Sequence, residues 1–203
     1  VYSNMIKQRG LYYIAYNNLY ANKGALTPGV TPLDTVDGMS DSKINTIIEK
    51  LKRREYQWKP TRRIYILKRD GKNKRPLGIP GWEDKLLQEV IRLVLEAYYE
   101  PQLGESSHGF RPQRGCHTAL LEIKKNWTGT NWFIEGDIKG CFDNIQRAKL
   151  LEVMSRSIKD TTFLKLLKGM LIAGYVEDWK YHETYSGTPQ GGIISPLLAN
   201  IML

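Results

Sequence analysis

Asp137 sits near the end of the run Trp132-Phe133-Ile134-Glu135-Gly136-Asp137-Ile138, and Lys139-Gly140-Cys141-Phe142-Asp143 follows at once. An apolar strand that presents a carboxylate and then enters a glycine turn holds that carboxylate at the rim of a sheet. An acid there can ligate Mg²⁺, which takes oxygen ligands in octahedral geometry and is commonly held by one or two protein carboxylates with substrate phosphates and water. A strand-end Asp can equally be a turn former or a helix cap. Asp143 and Asn144 suit capping better, because residues 145–154 read as a helix.

A second constellation is Ser186-Gly187-Thr188-Pro189-Gln190-Gly191-Gly192, followed by Ile193-Ile194-Ser195-Pro196. Proline and paired glycines before a helix let a backbone approach a ligand closely, and Gln190 offers both an acceptor and donors. In the third, Lys68, Arg69, Lys72, Lys74 and Arg75 gather five cations within residues 68–75. A hairpin tip of that charge has the reach to hold a triphosphate, or it is simply solvated.

The elements that must position these groups follow from periodicity. Tyr12, Tyr16, Leu19 and Tyr20 form one helical stripe. Thr27-Pro28-Gly29 and Thr31-Pro32 break any helix, and the loop ends at Ser40, an N-cap for a helix carrying Ile44, Ile47, Ile48 and Leu51. Residues 62–68 and 75–80 read as two strands of a hairpin turning at Asp70-Gly71, with Pro76 requiring an edge or a strand end. A long helix carries Leu87, Val90, Ile91, Val94, Leu95 and Tyr98 on its buried side, and a shorter one carries Ala119, Leu120 and Ile123. Residues 132–138 read as a buried strand. Two helices across 146–173, a polar hairpin through Lys180 to Ser186, and a final helix with Leu197, Leu198 and Ile201 complete the chain.

The composition fits these elements. In 203 residues, 41% are hydrophobic, enough for a sizeable core, and 18 Gly with 9 Pro exclude collagen-like and low-complexity readings. Thirty Lys and Arg against 21 Asp and Glu give +9, spread along the chain, which favours a polyanionic partner. No apolar run is long enough for a membrane span, and no signal-peptide pattern opens the chain, so an intracellular, cytoplasmic protein without a membrane partner is expected. Cys116 and Cys141 have no metal-ligand spacing to each other or to His108, His117 or His182, and read as buried small residues. His108 and His117 read as structural. With no linker or repeat, the elements are expected to interleave into one α+β body.

Together these stretches resemble a known family. Asp137 with Phe142 five residues on looks like polymerase motif A, and Thr188-Pro189-Gln190-Gly191-Gly192 followed by Ile194-Ser195-Pro196-Leu197-Leu198-Ala199-Asn200 looks like motif B of reverse transcriptases. Arg75-Pro76-Leu77-Gly78-Ile79-Pro80, His108-Gly109-Phe110-Arg111-Pro112 and the loop from Thr27 to Ser40 are similar to the successive N-terminal blocks of group II intron-encoded reverse transcriptases, the maturases. The resemblance runs in the right order over residues 25–203. It implies an α+β fold: right-hand polymerase fingers and an incomplete palm, with helices packed on a small antiparallel sheet plus a fingers hairpin. The implied division is 1–80 fingers, 81–145 palm with motif A, 146–180 a helical return to the fingers, and 181–203 palm with motif B.

The resemblance also implies roles. Asp137 would bind both catalytic Mg²⁺ ions, with the Ile138 carbonyl as a second oxygen ligand; Lys68 and Arg75 would hold the triphosphate; Phe142 would be the steric gate beneath the sugar; Gln190 would pack near the incoming nucleotide. Two metal ions about 4 Å apart suit the attack of a 3′ oxygen and the departure of pyrophosphate. Related RNA-directed RNA polymerases usually carry a second acid where Phe142 stands, so DNA is the implied product. The implied partners are intron RNA, an RNA template with a DNA primer, and deoxynucleoside triphosphates, in a bacterial host, with a homodimer compatible. Intron splicing and mobility are implied with them. Lys7, Arg9, Lys23, Lys50, Arg53 and Arg54 are candidate contacts to structured RNA, and Arg111 and Arg114 to template or primer; the former can instead be solvated, and Arg111 and Arg114 can instead be structural, bonded to loop carbonyls. The Tyr-Ala-Asp-Asp type motif of the family is expected beyond Leu203, so residues 1–203 alone are expected not to polymerise. A retron-type or diversity-generating reverse transcriptase, or an RNA-binding splicing cofactor, is the alternative.

Overall fold

The helix α4 (Trp82–Tyr99) organises the chain. Its Leu87, Val90, Ile91 and Leu95 are fully buried, as the periodicity predicts, and Val94 is half-buried, but Leu86, Asp84, Lys85, Gln88 and Glu89 are buried as well. A helix enclosed on more than one face must satisfy its polar side chains internally. Asp84 accepts from the Tyr56 hydroxyl at 2.7 Å and the Lys59 N–H at 3.0 Å. Lys85 Nζ donates to the Thr27 carbonyl at 2.8 Å. Glu89 accepts from Asn18 at 2.8 Å and pairs with Arg92 at 2.7 Å. Tyr98, expected inside, is exposed, and Tyr99 takes the buried position.

This computed structural model describes residues 1–203 apart from 23, 25, 33, 34, 36–38, 69, 70, 189 and 190. Around α4 lie α1 (Tyr2–Lys7), α2 (Gly10–Tyr20) and α3 (Asp41–Lys52) before it, then α5 (Cys116–Asn126), α6 (Cys141–Asn144), α7 (Arg147–Ser157), α8 (Thr161–Ile172) and α9 (Ser195–Met202) after it. Ser40 caps α3, its hydroxyl accepting from the Lys43 N–H. Asp160 caps α8 and also takes the Tyr2 N–H at 2.8 Å, tying the first helix to the eighth. One connected core contains buried residues of α1 to α4 and α7 to α9, with Cys141 and Phe142 of α6 packed against it.

The strands are β1 (Thr61–Leu67), β2 (Lys74–Ile79), β3 (Tyr175–Glu177) and β4 (Lys180–His182), in the order β2-β1-β3-β4. The pairing of β1 with β2 matches expectation, with Tyr65 opposite Pro76 on the edge strand, where a missing N–H costs no ladder bond, while Asp70 of the expected turn lies outside the described residues. The sheet is mixed rather than antiparallel, because β1 and β3 run parallel. The second hairpin lies earlier than expected, turning at Asp178 and Trp179, both left-handed at φ +49° and +63°, as a two-residue turn with matching twist requires.

Three further expectations fail. Residues 132–138 form no strand and are exposed throughout, Trp132 at 90% and Ile134 at 100%. An apolar run becomes a buried strand only where another strand meets its backbone groups, and none of the four described strands does. The helix α5 exposes Leu120 and Ile123, and Cys116 at its start is exposed, not buried. Asp143 and Asn144 do not cap α7. They lie within α6, and Gln146 is the N-cap residue.

Burial pushes the Asp84 carboxyl up from 3.8 to about 6, against the pull of its Tyr56 and Lys59 bonds. A carboxyl that holds its proton more tightly when folded contributes stability that is full below pH about 4 and lost as pH rises through about 6. Two units correspond to about 3 kcal/mol. Urea unfolding across that range should show wild type losing about this much relative to Asp84→Asn, which does not titrate.

Candidate functional site: a cavity between the hairpin and the glycine loop

A cavity of about 350 Å³ gathers residues from four separate sequence blocks: Arg75, Pro76 and Leu77 of β2; Phe110 of the 108–112 loop; Phe142 of α6; and Gly191, Gly192, Ile193, Ser195 and Pro196 at the start of α9. Its walls are mostly apolar. Arg75, opposite Ile66 on the edge strand, contributes the cation at its rim. The Phe110 and Phe142 rings meet edge to face, with centroids 6.4 Å apart and planes at 74°. Such a space suits a flat, partly apolar group with an anionic end.

Backbone contacts fix the walls. The Phe142 carbonyl accepts from the Thr188 N–H at 2.8 Å, the Ile145 carbonyl from the Gly187 N–H at 2.8 Å, and the Asp143 carbonyl from the Ser186 hydroxyl at 2.9 Å. Gly191, at φ +94°, lies so close to β2 that a Cβ there would stand 2.6 Å from Leu77 Cδ1 and 2.7 Å from the Gly78 carbonyl oxygen. The glycine thus admits the protein's own hairpin, where the sequence suggested a ligand. On the far side, the Ile193 N–H donates to Gln88 Oε1 of α4 at 3.1 Å.

One strap was missed by sequence reasoning. Arg147, the first residue of α7, donates to the carbonyls of Thr184, Ser186 and Gly187 and to the Thr184 hydroxyl. Desolvation lowers its pKa, and its bonds in this cluster are to neutral oxygens. A lone Arg at a helix start carries no sequence signal of such a role. Phe110 and Leu77 lay inside flagged blocks, but nothing in the sequence pointed their side chains at Phe142 and Gly191.

Comparison with known proteins decides the family. The family described as reverse transcriptase (RNA-dependent DNA polymerase) matches residues 66–203, more than half of the chain. The chain belongs to the reverse transcriptase family. It is 56% identical over 193 residues to the group II intron-encoded protein LtrA of Lactococcus lactis subsp. cremoris, covering 95% of this chain and 32% of that protein. It is 49% identical over 203 residues to a 91 kDa protein in the cob intron of Schizosaccharomyces pombe, covering 100% of this chain and 25% of that one. The chain therefore spans about a third or less of these relatives. Among solved structures, a partial Cas6-RT-Cas1–Cas2 complex matches with a TM-score of 0.60 at 20% identity over 97% of this chain and 33% of that one, a likeness of fold.

Against the sites implied for a reverse transcriptase, the geometry is uneven. Arg75 and Phe142 meet at the cavity, and Lys68 follows β1 with its side chain exposed and its N–H on the Asn73 carbonyl at 2.7 Å. Gln190 and Lys23 lie outside the described residues. Asp137 and Ile138 stand on the exposed 132–138 segment and do not line the cavity. Among the described residues no three His, Cys, Asp or Glu side chains gather as a metal site, so these residues do not by themselves fit a two-metal centre. Lys50 lies 4.0 Å from Glu83 and Arg9 lies 3.3 Å from Asp41, while Lys7, Arg53 and Arg54 are exposed.

Arg111 is corrected from a candidate nucleic-acid contact to a loop anchor. It is 8% exposed, and every guanidinium nitrogen is engaged, by the Glu100 carboxylate at 2.8 to 3.1 Å and by the carbonyls of Glu100, Gly104 and Ser107. Arg114 donates to the Glu105 carbonyl in an exposed bond. His108 is held between Thr118 at 2.8 Å and Glu122 at 2.7 Å, a structural clamp as expected. Removing one member of a buried ion pair strands the other. Arg111→Met should lower the unfolding free energy by about 3 kcal/mol in denaturant titrations, and in the folded variant leave the salt slope of nucleic-acid binding unchanged.

Proposed function

We propose that this chain is the nucleotide-selecting part of an RNA-directed DNA polymerase of a group II intron, acting within a longer polypeptide of the kind its relatives are. The observation that carries this reading is the convergence of Arg75, Phe110, Phe142 and the Gly191-Gly192 loop on one cavity in a reverse transcriptase chain. The deoxynucleotide occupies that cavity with its sugar over Phe142. Arg75 and Lys68 take the triphosphate, where paired cations offset the charge that develops as pyrophosphate leaves. Gln190 packs beside the nucleotide. A bulky apolar ring under the sugar excludes a 2′-hydroxyl while offering it no hydrogen bond.

In this reading residues 1–80 and 146–180 are the fingers, and 81–145 and 181–203 belong to the palm. Asp137 and the Ile138 carbonyl hold Mg²⁺ together with acidic residues of the longer polypeptide, and residues 132–138 join a palm sheet there. Exposure of Trp132, Phe133 and Ile134 is what a strand awaiting such a partner would have. When bound, the metal supplies charge stabilisation at the reacting oxygens. The partners are an RNA template with a DNA primer and intron RNA, whose splicing and mobility the protein assists in the cytoplasm of a bacterial host.

Primer extension on an RNA template by the full-length protein tests this. Asp137→Asn should lower the rate by roughly a hundredfold or more, the scale of losing one electrostatic stabiliser of a transition state. An unchanged rate would sink the assignment. Arg53 and Arg54, exposed at the end of α3, are proposed contacts to intron RNA backbone. Neutralising each should reduce the slope of log affinity against log salt by about one, in filter binding across a salt series.

A further inference from the structure

Phe110 is an anomaly of the 108–112 loop. It is a bulky residue held in the left-handed region at φ +55°, with Gln113 at φ +58° beside it, and its side chain is 71% exposed. Left-handed backbone at such a residue is unfavourable and persists only where its surroundings over-determine it. They do so here. The Gly109 carbonyl accepts from Asn200 of α9 at 2.9 Å, Arg111 is locked to Glu100, and His108 is locked to α5. Three anchors around one residue hold an apolar ring where it gains little burial. What it does meet is Phe142.

Phe142 needs support. It belongs to α6, a single turn of four residues with no fully buried side chain. Short isolated helical turns are marginal. The Thr188 N–H fixes its carbonyl, but that bond leaves χ1 and χ2 of the ring free to choose. A gate excludes a hydroxyl only if its ring cannot swing aside. Phe110, itself largely exposed, sets its ring against that ring with the two planes at 74°.

The geometry points to Phe110 as a positioning residue for sugar selection: its ring braces Phe142 against rotating out from under the sugar. This rests on the reading of Phe142 as the sugar gate. Edge-to-face pairs of this kind are worth a factor of roughly two to ten in an equilibrium. The brace is therefore expected to matter for discrimination by about that factor, less than the gate itself.

The test compares kcat/KM for deoxynucleoside and ribonucleoside triphosphates in the full-length enzyme carrying F142A, F110A, F110L or both alanines, with thermal melts to show that each variant folds. The readout is the ratio of the two efficiencies, which a merely structural role for the loop would not move. F142A is expected to collapse the ratio, F110A to lower it roughly two- to tenfold, and F110L to restore part of it. In the double variant, F110A should add nothing to F142A, because a brace without a gate has no effect. An unchanged ratio in F110A, or an equal further loss in the double variant, overturns the brace while leaving the gate standing. An unchanged ratio in F142A overturns the gate reading, and the brace with it.

Discussion

Four buried polar side chains on one helix hold this fold in register. From α4, Glu89 reaches the end of α2, Lys85 the loop at Thr27, Asp84 the segment from Tyr56 to Lys59, and Gln88 the N–H of Ile193 beside the glycine loop. Hydrophobic burial alone would let these segments slide, because apolar contact is non-directional. A buried donor or acceptor that loses its partner carries a full desolvation penalty, so each bond fixes one arrangement. The bond from Gln88 has the most direct functional consequence, since it seats the residues after Gly192 against the same helix that anchors the N-terminal loop.

From that seat the cavity is assembled by close approach. Gly191 lets the loop touch β2 at Leu77 and Gly78, and Gly187, at φ +76°, lets it touch α6, where a Cβ would meet the Phe142 carbonyl oxygen at 2.6 Å. Two glycines thus pull two distant blocks, the hairpin and α6, onto one loop. Arg147 closes the arrangement from below by collecting the loop's carbonyls. The hairpin's place is fixed independently at its other end, where Arg62 donates to the Pro28 carbonyl at 2.9 and 3.2 Å.

What the sequence made legible was whatever local chemistry decides. The β1–β2 hairpin, the Ser40 cap, the edge position of Pro76 and the helical stripe of α3 follow from turn residues, capping and period, as does that of α2 apart from Tyr20, which is exposed, and the family followed from ordered blocks. What it could not show depends on partners far away in sequence. Residues 132–138 have the composition of a buried strand, but composition does not supply a neighbouring strand. Asp84 and Gln88 sit off the apolar stripe of α4, and only the packing of other segments over that side buries them. The hairpin at Asp178 and Trp179 escaped because neither residue is a glycine, although both adopt the left-handed backbone.

Charge illustrates the same limit. A surplus of +9 reads as a surface for polyanions, yet a count does not say which cations remain available. Arg111 is consumed by Glu100 and loop carbonyls, Arg92 by Glu89 and Glu96, and Arg147 by the loop from Thr184 to Gly187. These arginines are structural because a planar guanidinium can serve several carbonyls at once, which a lysine ammonium does less well. Arg147 differs from the other two in drawing on neutral oxygens within that cluster, so its charge is not cancelled there by a bonded acid and still acts on its surroundings. The loop whose carbonyls it gathers runs on to Gly191 and Gly192, which line the cavity. The shape of the cavity therefore depends on a half-buried scaffold arginine as well as on the groups that the sequence brings to notice.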